Sequence, residues 1–199
     1  MESYQTFVFM GRSGCGKGTQ AKLLMEHLAK EDPQHALYYL ETGQRFRDFL
    51  NAPYHASALA KRTLNLGERQ PDFLAIYMWA HLLVENMKGD EHLVLDGAPR
   101  SVLEAQALGT ALSFFNRADA RIIHINISRQ EAQARLRARG RGDDAEAGIQ
   151  KRLDWFDRDV MPAIEYYRSH PEYHFYEVNG EQSIEAVQAE LLQAVYGQH

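Results

Sequence analysis

The chain has 199 residues, a length that suits one domain with a full core, and its 45% hydrophobic and 25% charged residues argue against disorder. The net charge of −5 with neutral histidines argues against a general binder of nucleic acid or anionic membranes, because such proteins carry a basic surplus. The single cysteine, Cys15, excludes a disulfide framework, and no apolar run reaches about 20 residues, so we expect a cytoplasmic protein without a membrane span.

The first predicted element is a short β-strand at residues 6–10, which ends directly in the glycine loop, GRSGCGKGTQ (residues 11–20). Apolar residues at helical spacing follow the loop. Glycines let successive backbone amides surround an anion, and the helix N-terminus and Lys17 add positive charge. We therefore predict that this loop binds a nucleotide. The residues predicted to bind it are Gly14, Cys15, Gly16, Lys17, Gly18 and Thr19.

Four more β-type runs follow, and segments with helical periodicity separate them. The runs lie at residues 36–40, 92–95, 121–127 and 173–178. Parallel strands need a helix-sized crossover, so the alternation predicts an α/β fold, a three-layer sandwich with a five-stranded parallel sheet. Ligands are expected at the carboxyl ends of the strands.

Gly18 stands where phosphate-binding loops usually place the serine or threonine that ligates magnesium. Magnesium keeps several waters by preference, so substrate phosphates and a carboxylate beyond a water can hold it instead. Asp96, at the end of the third strand, is our candidate for that carboxylate, as a second-shell ligand through water.

The loop variant GKGTQ, with ETG at 41–43, LDGAPR at 95–100 and RGDD at 141–144, resembles the nucleoside monophosphate kinases, and most closely adenylate kinase. The resemblance spans nearly the whole chain, with the motifs in the family's order. It implies a fold of the P-loop NTPase type and reversible transfer of the terminal phosphoryl of ATP to a nucleoside monophosphate, with Mg²⁺ as cofactor. Thr42 matches the family position associated with adenine, which favours AMP. Nothing in the sequence demands more than a monomer.

The same resemblance divides the chain into one core and two smaller elements. The core is expected at residues 1–42, 72–136 and 145–199. A polar, mostly helical stretch at 43–71 is expected to be the monophosphate-binding subdomain. The stretch RARGRGDD at 137–144 is expected to be a minimal lid loop, shorter even than the family's short lid.

Arginines are the main catalytic candidates, because a guanidinium stays charged and binds phosphate bidentately. From charge alone, the arginines between 129 and 141 would be a solvated face or a nucleic-acid patch. The resemblance instead implies roles for them around the phosphates. The implied catalytic residues are Lys17, Arg100, Arg139, Arg141, Arg152, Asp143 and Asp144. Arg135 and Arg139 are added to the ATP site. The implied monophosphate-binding residues are Thr42, Arg47, Gln70, Gly97, Arg100, Glu104, Arg141 and Arg152.

Glu104 departs from the family, which has a base-reading glutamine at this position. An ionised carboxylate only accepts hydrogen bonds, which would suit guanine or the amino group of cytosine. GMP or CMP as preferred acceptor is therefore an alternative to AMP. Our expectation is AMP with weaker base discrimination than usual. A Glu104 that points to solvent is a further alternative, and Gln106 lies about 200° away around the helix.

Three other functions are alternatives to a nucleoside monophosphate kinase. A loop-bearing kinase of another small metabolite is disfavoured by the pairing of ETG with DGAPR. A GTPase switch would need an N-K-x-D segment, which is absent. A nucleotide-binding sensor without turnover would be expected to have lost the charged partners that are present here. The nine histidines lack the H-E-x-x-H spacing, so we expect surface or core residues rather than metal ligands.

Overall fold

The computed structural model describes residues 4–117, 119–140 and 145–197. Within them, five parallel strands form one sheet in the order β2-β3-β1-β4-β5. The strands are β1 (Thr6–Met10), β2 (Leu37–Glu41), β3 (His92–Asp96), β4 (Arg121–Asn126) and β5 (His174–Asn179). The helices are α1 (Lys17–Glu31), α2 (Thr42–Leu50), α3 (His55–Asn65), α4 (Asp72–Asn86), α5 (Val102–Phe114), α6 (Arg129–Arg139), α7 (Glu146–Trp155), α8 (Met161–Ser169) and α9 (Ile184–Tyr196), with a π-helical segment at Phe156–Val160 between α7 and α8.

The predicted α/β sandwich with a five-stranded parallel sheet is confirmed. β1 lies at the centre, where Val8 pairs with Leu95 of β3 and with Ile122 of β4. Successive side chains of a strand point to opposite faces. Val8 and Met10 therefore pack into one core and Phe7 and Phe9 into another. This double burial explains why β1 reads as a continuous apolar run.

Serine hydroxyls cap α5 and α6, two of the helices that begin near the carboxyl end of the sheet. Ser101 accepts a hydrogen bond from the amide of Glu104 at the start of α5, and Ser128 does the same for Glu131 in α6. Each cap satisfies an amide that has no partner within its helix. The cap at Ser101 fixes where α5 begins after β3, and so where its first turn lies relative to the site.

The stretch at 43–71 contains most of α2 and all of α3, as its helical pattern predicts. Leu50, Ala60, Leu74 and Met78 form a small cluster of their own, separate from the two main cores. The stretch thus packs on the N-terminal part of α4. No helix in the described part of the chain has the length and apolar character needed to cross a membrane.

The first three residues of the stretch expected as a lid loop belong to α6. α6 continues through Arg139, because Ala132 and Leu136 extend its buried face, and it ends at Gly140 in the left-handed conformation with φ of 61°. Arg137 lies in the last helical turn, where its guanidinium is 2.8 Å from Glu146 at the start of α7. Residues 141–144 lie outside the described residues.

Two histidines meet a carboxylate at the amino end of the sheet, although their spacing gave no such signal. Asp32 Oδ2 lies 2.8 Å from His35 Nδ1 and 3.2 Å from His92 Nε2. The backbone amide of Gln5 donates to His92 Nδ1 at 3.1 Å, so Nε2 carries the proton and donates to Asp32. A protonated ring nitrogen does not bind a metal. The three side chains thus form a hydrogen-bonded cluster that joins α1 to β3.

Candidate active site

The glycine loop connects β1 to α1 and has the backbone that its sequence predicts. Gly16 precedes α1 in the left-handed region with φ of 96°, and a Cβ on Gly11 would lie 2.4 Å from the carbonyl oxygen of Ile125. The first turn of α1 has no side-chain cap, which leaves its amides free for an anion. Lys17 Nζ folds back over the loop and donates to the carbonyl oxygens of Gly11 and Arg12 at 2.8 and 3.0 Å.

Gly18 faces the carboxylate that sequence reasoning selected. A Cβ at Gly18 would lie 3.2 Å from Oδ2 of Asp96, so the space of the usual loop hydroxyl is taken by this aspartate. Tyr39 donates its hydroxyl to the same oxygen at 3.1 Å. Burial, reinforced by the nearby Asp96, raises the pKa of Tyr39 well above its usual value, so the hydroxyl stays a donor. Asp96 thus keeps a fixed orientation beside the loop.

A small cavity of about 50 Å³, here called the Arg100 cavity, opens at the carboxyl ends of β1 and β3. Its lining includes Gly11, Lys17, Gly97, Arg100 and Phe156. Arg100 Nε donates to the carbonyl oxygen of Gly97 at 2.6 Å, which holds the guanidinium over the turn after β3. The loop lysine and one of the predicted phosphate-binding arginines therefore line the same space.

Of the other residues predicted for the monophosphate site, Thr42 and Gly97 meet at this turn, whereas the contacts of Arg47 and Gln70 lie elsewhere. Thr42 Oγ1 donates to the carbonyl oxygen of Asp96 at 3.1 Å, and a Cβ on Gly97 would lie 2.7 Å from that hydroxyl. Arg47 is half-exposed on α2 and bonds Gln44 at 2.7 Å. Gln70 donates to the carbonyl oxygen of Ala60, and its own amide oxygen is buried without a partner in the described structure.

Glu104 is buried, with 1% of its side chain exposed, whereas Gln106 is exposed. The alternative of a solvent-pointing Glu104 is therefore wrong. Burial raises the pKa of its carboxyl, and the charges of Arg100 and Arg69 oppose that rise. Arg69 Nη1 lies 3.4 Å from Glu104 Oε1. A cation that sequence analysis did not single out thus accompanies the unusual glutamate.

A second cavity of about 280 Å³, here called the Arg135 cavity, lies on the other side of the glycine loop. Cys15, Gly16 and Thr19 line it together with Arg135. Arg135 donates to the carbonyl oxygen of Gly180 at 2.9 Å and to Glu131 at 2.6 Å, so its guanidinium is held at the rim. Four of the residues predicted to bind ATP therefore share this cavity.

Two of the remaining predicted catalytic arginines belong to α6 and α7, the helices on either side of the stretch predicted to be a lid. Arg139 ends α6 with its side chain exposed, and Arg152 lies on α7, where its Nε donates to the carbonyl oxygen of Gly148 at 3.3 Å. Arg141, Asp143 and Asp144 lie outside the described residues. Their predicted roles stay predictions.

Residues 9–172 match the family model for adenylate kinase. The chain belongs to the adenylate kinase family. It is 32% identical over 184 residues to adenylate kinase 1 of Nostoc sp., covering 92% of this chain and 95% of the relative. It is 34% identical over 184 residues to an adenylate kinase of Synechococcus sp., covering 92% and 94%, and 33% identical over 166 residues to one of Mycobacterium sp., covering 81% and 85%. Membership of this kinase family makes the chain a nucleotide-binding phosphotransferase.

Sequence reasoning about this adenylate kinase family member missed Arg12, the second residue of the glycine loop. Its Nε donates to the carbonyl oxygen of Ile127 at 3.2 Å, its guanidinium stacks on Phe156, and its Nη1 pairs with Asp157. Asp157 is 145 residues away along the chain, so no local spacing signals the contact. Arg12 therefore fixes the loop to the π-helical segment after α7.

Proposed function

We propose that the protein reversibly transfers the terminal phosphoryl group of Mg-ATP to AMP and so forms two ADP. One observation carries this proposal in a chain of the adenylate kinase family. The Arg100 cavity and the Arg135 cavity lie on either side of one glycine loop, and Lys17 of that loop lines the Arg100 cavity. Two nucleotides bound in these cavities would bring their phosphates together at the lysine.

The donor nucleotide would occupy the Arg135 cavity. Its phosphates would lie on the loop amides from Gly14 to Thr19, where the N-terminus of α1 and Lys17 supply positive charge. In this position Lys17 would exchange its two carbonyl partners for phosphate oxygens. Arg135 would lie against the nucleotide at the rim, and Arg139 would follow it on the same helical face.

The phosphate of the acceptor would occupy the Arg100 cavity beside Arg100, and Arg47 would reach it from α2. Thr42 donates to the carbonyl oxygen of Asp96, directly before Gly97. Thr42, Gln70, Gly97 and Glu104 would contact the base and sugar of the acceptor. The helices of residues 43–71 pack on α4 through a cluster separate from the two main cores, which supports their movement relative to the sheet when the acceptor binds. We therefore treat 43–71 as the monophosphate-binding subdomain and 137–144 as the lid.

In the transfer, an oxygen of the AMP phosphate attacks the terminal phosphorus of ATP while the bond to the bridging oxygen of ADP breaks. That phosphate oxygen is already ionised at neutral pH, so no general base is needed. The protein's task is alignment and charge neutralisation. Lys17, Arg139 and Arg152 would supply it together with Arg141, whose direction Asp143 and Asp144 would fix.

The residues present fit Mg²⁺ held mainly by substrate phosphates. Asp96 presents a carboxylate oxygen beside Gly18, at the place of the usual loop hydroxyl, and oxygen ligands are what magnesium prefers. Magnesium bound there would offset charge on the phosphates of ATP. Asp96 would orient one of its waters, and Tyr39 would hold Asp96 in position.

The test is to mix the pure protein with ATP and Mg²⁺ and to measure diphosphate formation with AMP, GMP, CMP and UMP in parallel. Fast, AMP-selective turnover is expected. Lys17→Ala should lower kcat by at least about 100-fold, in the range of other lost charge contacts at such transition states. Lys22→Ala is the matched control, because Lys22 is exposed on the same helix. Nucleotide binding without transfer would assign a sensor, and clear preference for GMP or CMP would overturn AMP as acceptor.

We also propose that the enzyme acts as a cytoplasmic monomer, which its family and single cysteine support. Light scattering behind size-exclusion chromatography tests the assembly. A mass near the 22.8 kDa of one chain is expected, and a dimer mass at assay concentration would contradict it.

A further inference from the structure

Arg69 lies just before α4 and joins three parts of the chain. Its Nη1 is 2.8 Å from Asp72 Oδ1 at the start of α4 and 3.4 Å from Glu104 Oε1 on α5. Its Nε is 3.3 Å from Asp159 Oδ2 in the π-helical segment. Only 16% of the side chain is exposed. Contacts on two of its three nitrogens fix both the position and the plane of the guanidinium.

The carboxylates around Arg69 are themselves held in place. Ser101 donates its hydroxyl to Asp72 Oδ1 at 2.6 Å, and Arg158 pairs with Asp159 at 2.8 Å. The third nitrogen of Arg69, Nη2, has no hydrogen-bond partner within residues 4–117, 119–140 and 145–197. An oriented guanidinium therefore keeps one NH₂ group available for a ligand beside the buried Glu104.

The acceptor base sets a requirement that Glu104 alone does not meet. The Watson–Crick edge of adenine offers an acceptor at N1 and a donor at its 6-amino group. A carboxylate only accepts, whereas an amide both donates and accepts. Glu104 can therefore pair with the amino group but not with N1. A neighbouring side chain can supply the missing donor, and Arg69 has its Nη1 3.4 Å from Glu104 Oε1.

We propose that Arg69 is a specificity-determining residue of the acceptor site, donating to N1 of adenine while Glu104 accepts from the 6-amino group. The two side chains together present the donor and the acceptor that one amide would present. This inference rests on the proposed transfer to AMP. It replaces the expectation of weak base discrimination, because a 6-oxopurine has a donor at N1 and an acceptor at C6 and so opposes both contacts.

The experiment compares AMP with IMP, which differ at these two positions. For the wild-type protein we expect kcat/KM for AMP to exceed that for IMP by about 100-fold or more. A site whose donor and acceptor match the edge of adenine would leave both groups unpaired against the edge of hypoxanthine. Arg69→Leu should raise the KM for AMP about 10- to 100-fold, the range for a hydrogen bond to a charged group. The same substitution should lower the ratio of kcat/KM for AMP to kcat/KM for IMP by a similar factor. It should leave the KM for ATP unchanged.

Two further variants separate base reading from a structural role. Arg158→Leu removes another arginine that pairs with Asp159 but has no contact with Glu104, so its AMP/IMP ratio should match the wild type. Arg69→Leu/Glu104→Gln removes the Arg69–Glu104 charge pair as a whole and carries an amide with both functions. It should regain a KM for AMP within about 3-fold of the wild type, together with the AMP/IMP preference.

Binding is measured in the same proteins, from the fluorescence of Trp155, which lines the Arg100 cavity. An unchanged AMP/IMP ratio in Arg69→Leu, or a wild-type preference for IMP, overturns the assignment of Arg69. Tight, AMP-selective binding that Arg69→Leu abolishes, without any transfer, supports that assignment and refutes the proposed function. The proposed role of Arg69 and the proposed phosphoryl transfer can therefore be refuted independently.

Discussion

The guanidinium of Arg12 lies 4.4 Å from the ring centroid of Phe156. One residue belongs to the glycine loop and the other begins the π-helical segment directly after α7, the helix that carries Arg152. Asp157 strengthens the link, because it pairs with Arg12 and also with Arg129 at the start of α6. The nucleotide loop and both helices that flank the lid are thus joined at one point.

Arg12→Leu should loosen this junction. We expect the free energy of unfolding to fall by about 1–2 kcal/mol, from a lost cation–π contact and charge-assisted hydrogen bonds. The KM for ATP should rise several-fold, because the loop is less fixed. Urea unfolding and steady-state kinetics measure the two effects. Arg121→Leu is the control, since Arg121 stacks on Phe7 at 5.7 Å and starts β4 at the opposite end of the sheet. If both variants raised the KM for ATP equally, Arg12 would not be the residue that fixes the glycine loop.

Gly18→Ala should reduce activity without unfolding the protein. The added methyl group would lie 3.2 Å from Asp96 Oδ2 and push that carboxylate away. We expect a higher Mg²⁺ concentration at half-maximal rate, while the free energy of unfolding changes by less than about 1 kcal/mol, the scale of helix propensity. A magnesium titration of the rate, with thermal unfolding in parallel, measures both. An unchanged titration would show that the space beside Asp96 has no role in catalysis.

Asp96→Asn should lower kcat/KM about 10- to 100-fold, as expected when a residue that orients a metal-bound water is changed. The loss should shrink at high Mg²⁺. Tyr39→Phe keeps the ring and removes only the hydroxyl that donates to Asp96 at 3.1 Å, so its effect should have the same direction and a smaller size. Should Tyr39→Phe lose more activity than Asp96→Asn, Asp96 is not the group through which Tyr39 acts.

Stability should fall as the pH drops below about 6.5, the ordinary pKa of histidine. Burial lowers the pKa of His124 to about 4, although Glu177 opposes the shift. Between these values the unfolded chain takes up a proton that the folded chain does not, which costs up to about 1.4 kcal/mol per pH unit. Burial also lowers the pKa of His92, so its effect has the same sign.

Urea unfolding at pH 7.5 and 5.0 measures this dependence. His124→Gln should show a smaller difference between the two pH values than the wild type, and His92 should account for part of what remains. His174→Gln is the control, because His174 begins β5 with an exposed side chain. A pH dependence in His124→Gln as steep as in the wild type would contradict the prediction.

The short lid should permit some ATP hydrolysis when no acceptor is present. α6 ends at Arg139 and α7 begins at Glu146, so the intervening residues leave no room for a separate subdomain. Lids exclude water from the phosphoryl group, and a smaller lid excludes less of it. Phosphate release without AMP should exceed that of a long-lid relative assayed side by side. Equal background rates would refute the idea.

The sequence predicted the parts of the molecule that local patterns encode. The glycine loop was predictable because its amides, glycines and lysine are consecutive, and the parallel sheet because five apolar runs alternate with helical segments. Strand ends differed by about a residue, since the last paired residue depends on the neighbouring strand. α6 extended further than expected, because Leu136 packs into the core.

The contacts that lie outside local spacing were not predictable. Arg12 meets Asp157 across 145 residues, and Arg69 meets Glu104 across 35. Sequence analysis recognised Glu104 as unusual but had no means of finding its partner, because only the packing of α4 against α5 brings the two side chains together. The burial of Glu104 likewise follows from that packing.

The position of β1 at the centre of the sheet has a consequence for the order in which the protein folds during synthesis. β1 precedes the other four described strands along the chain, yet its two neighbours begin at residues 92 and 121. The apolar run TFVFM therefore stays unpaired until the chain has been made as far as β3. Such long-range pairing is slow and exposes the strand to aggregation. The glycine loop that follows β1 is thus translated before either of the strands that hold β1 in place.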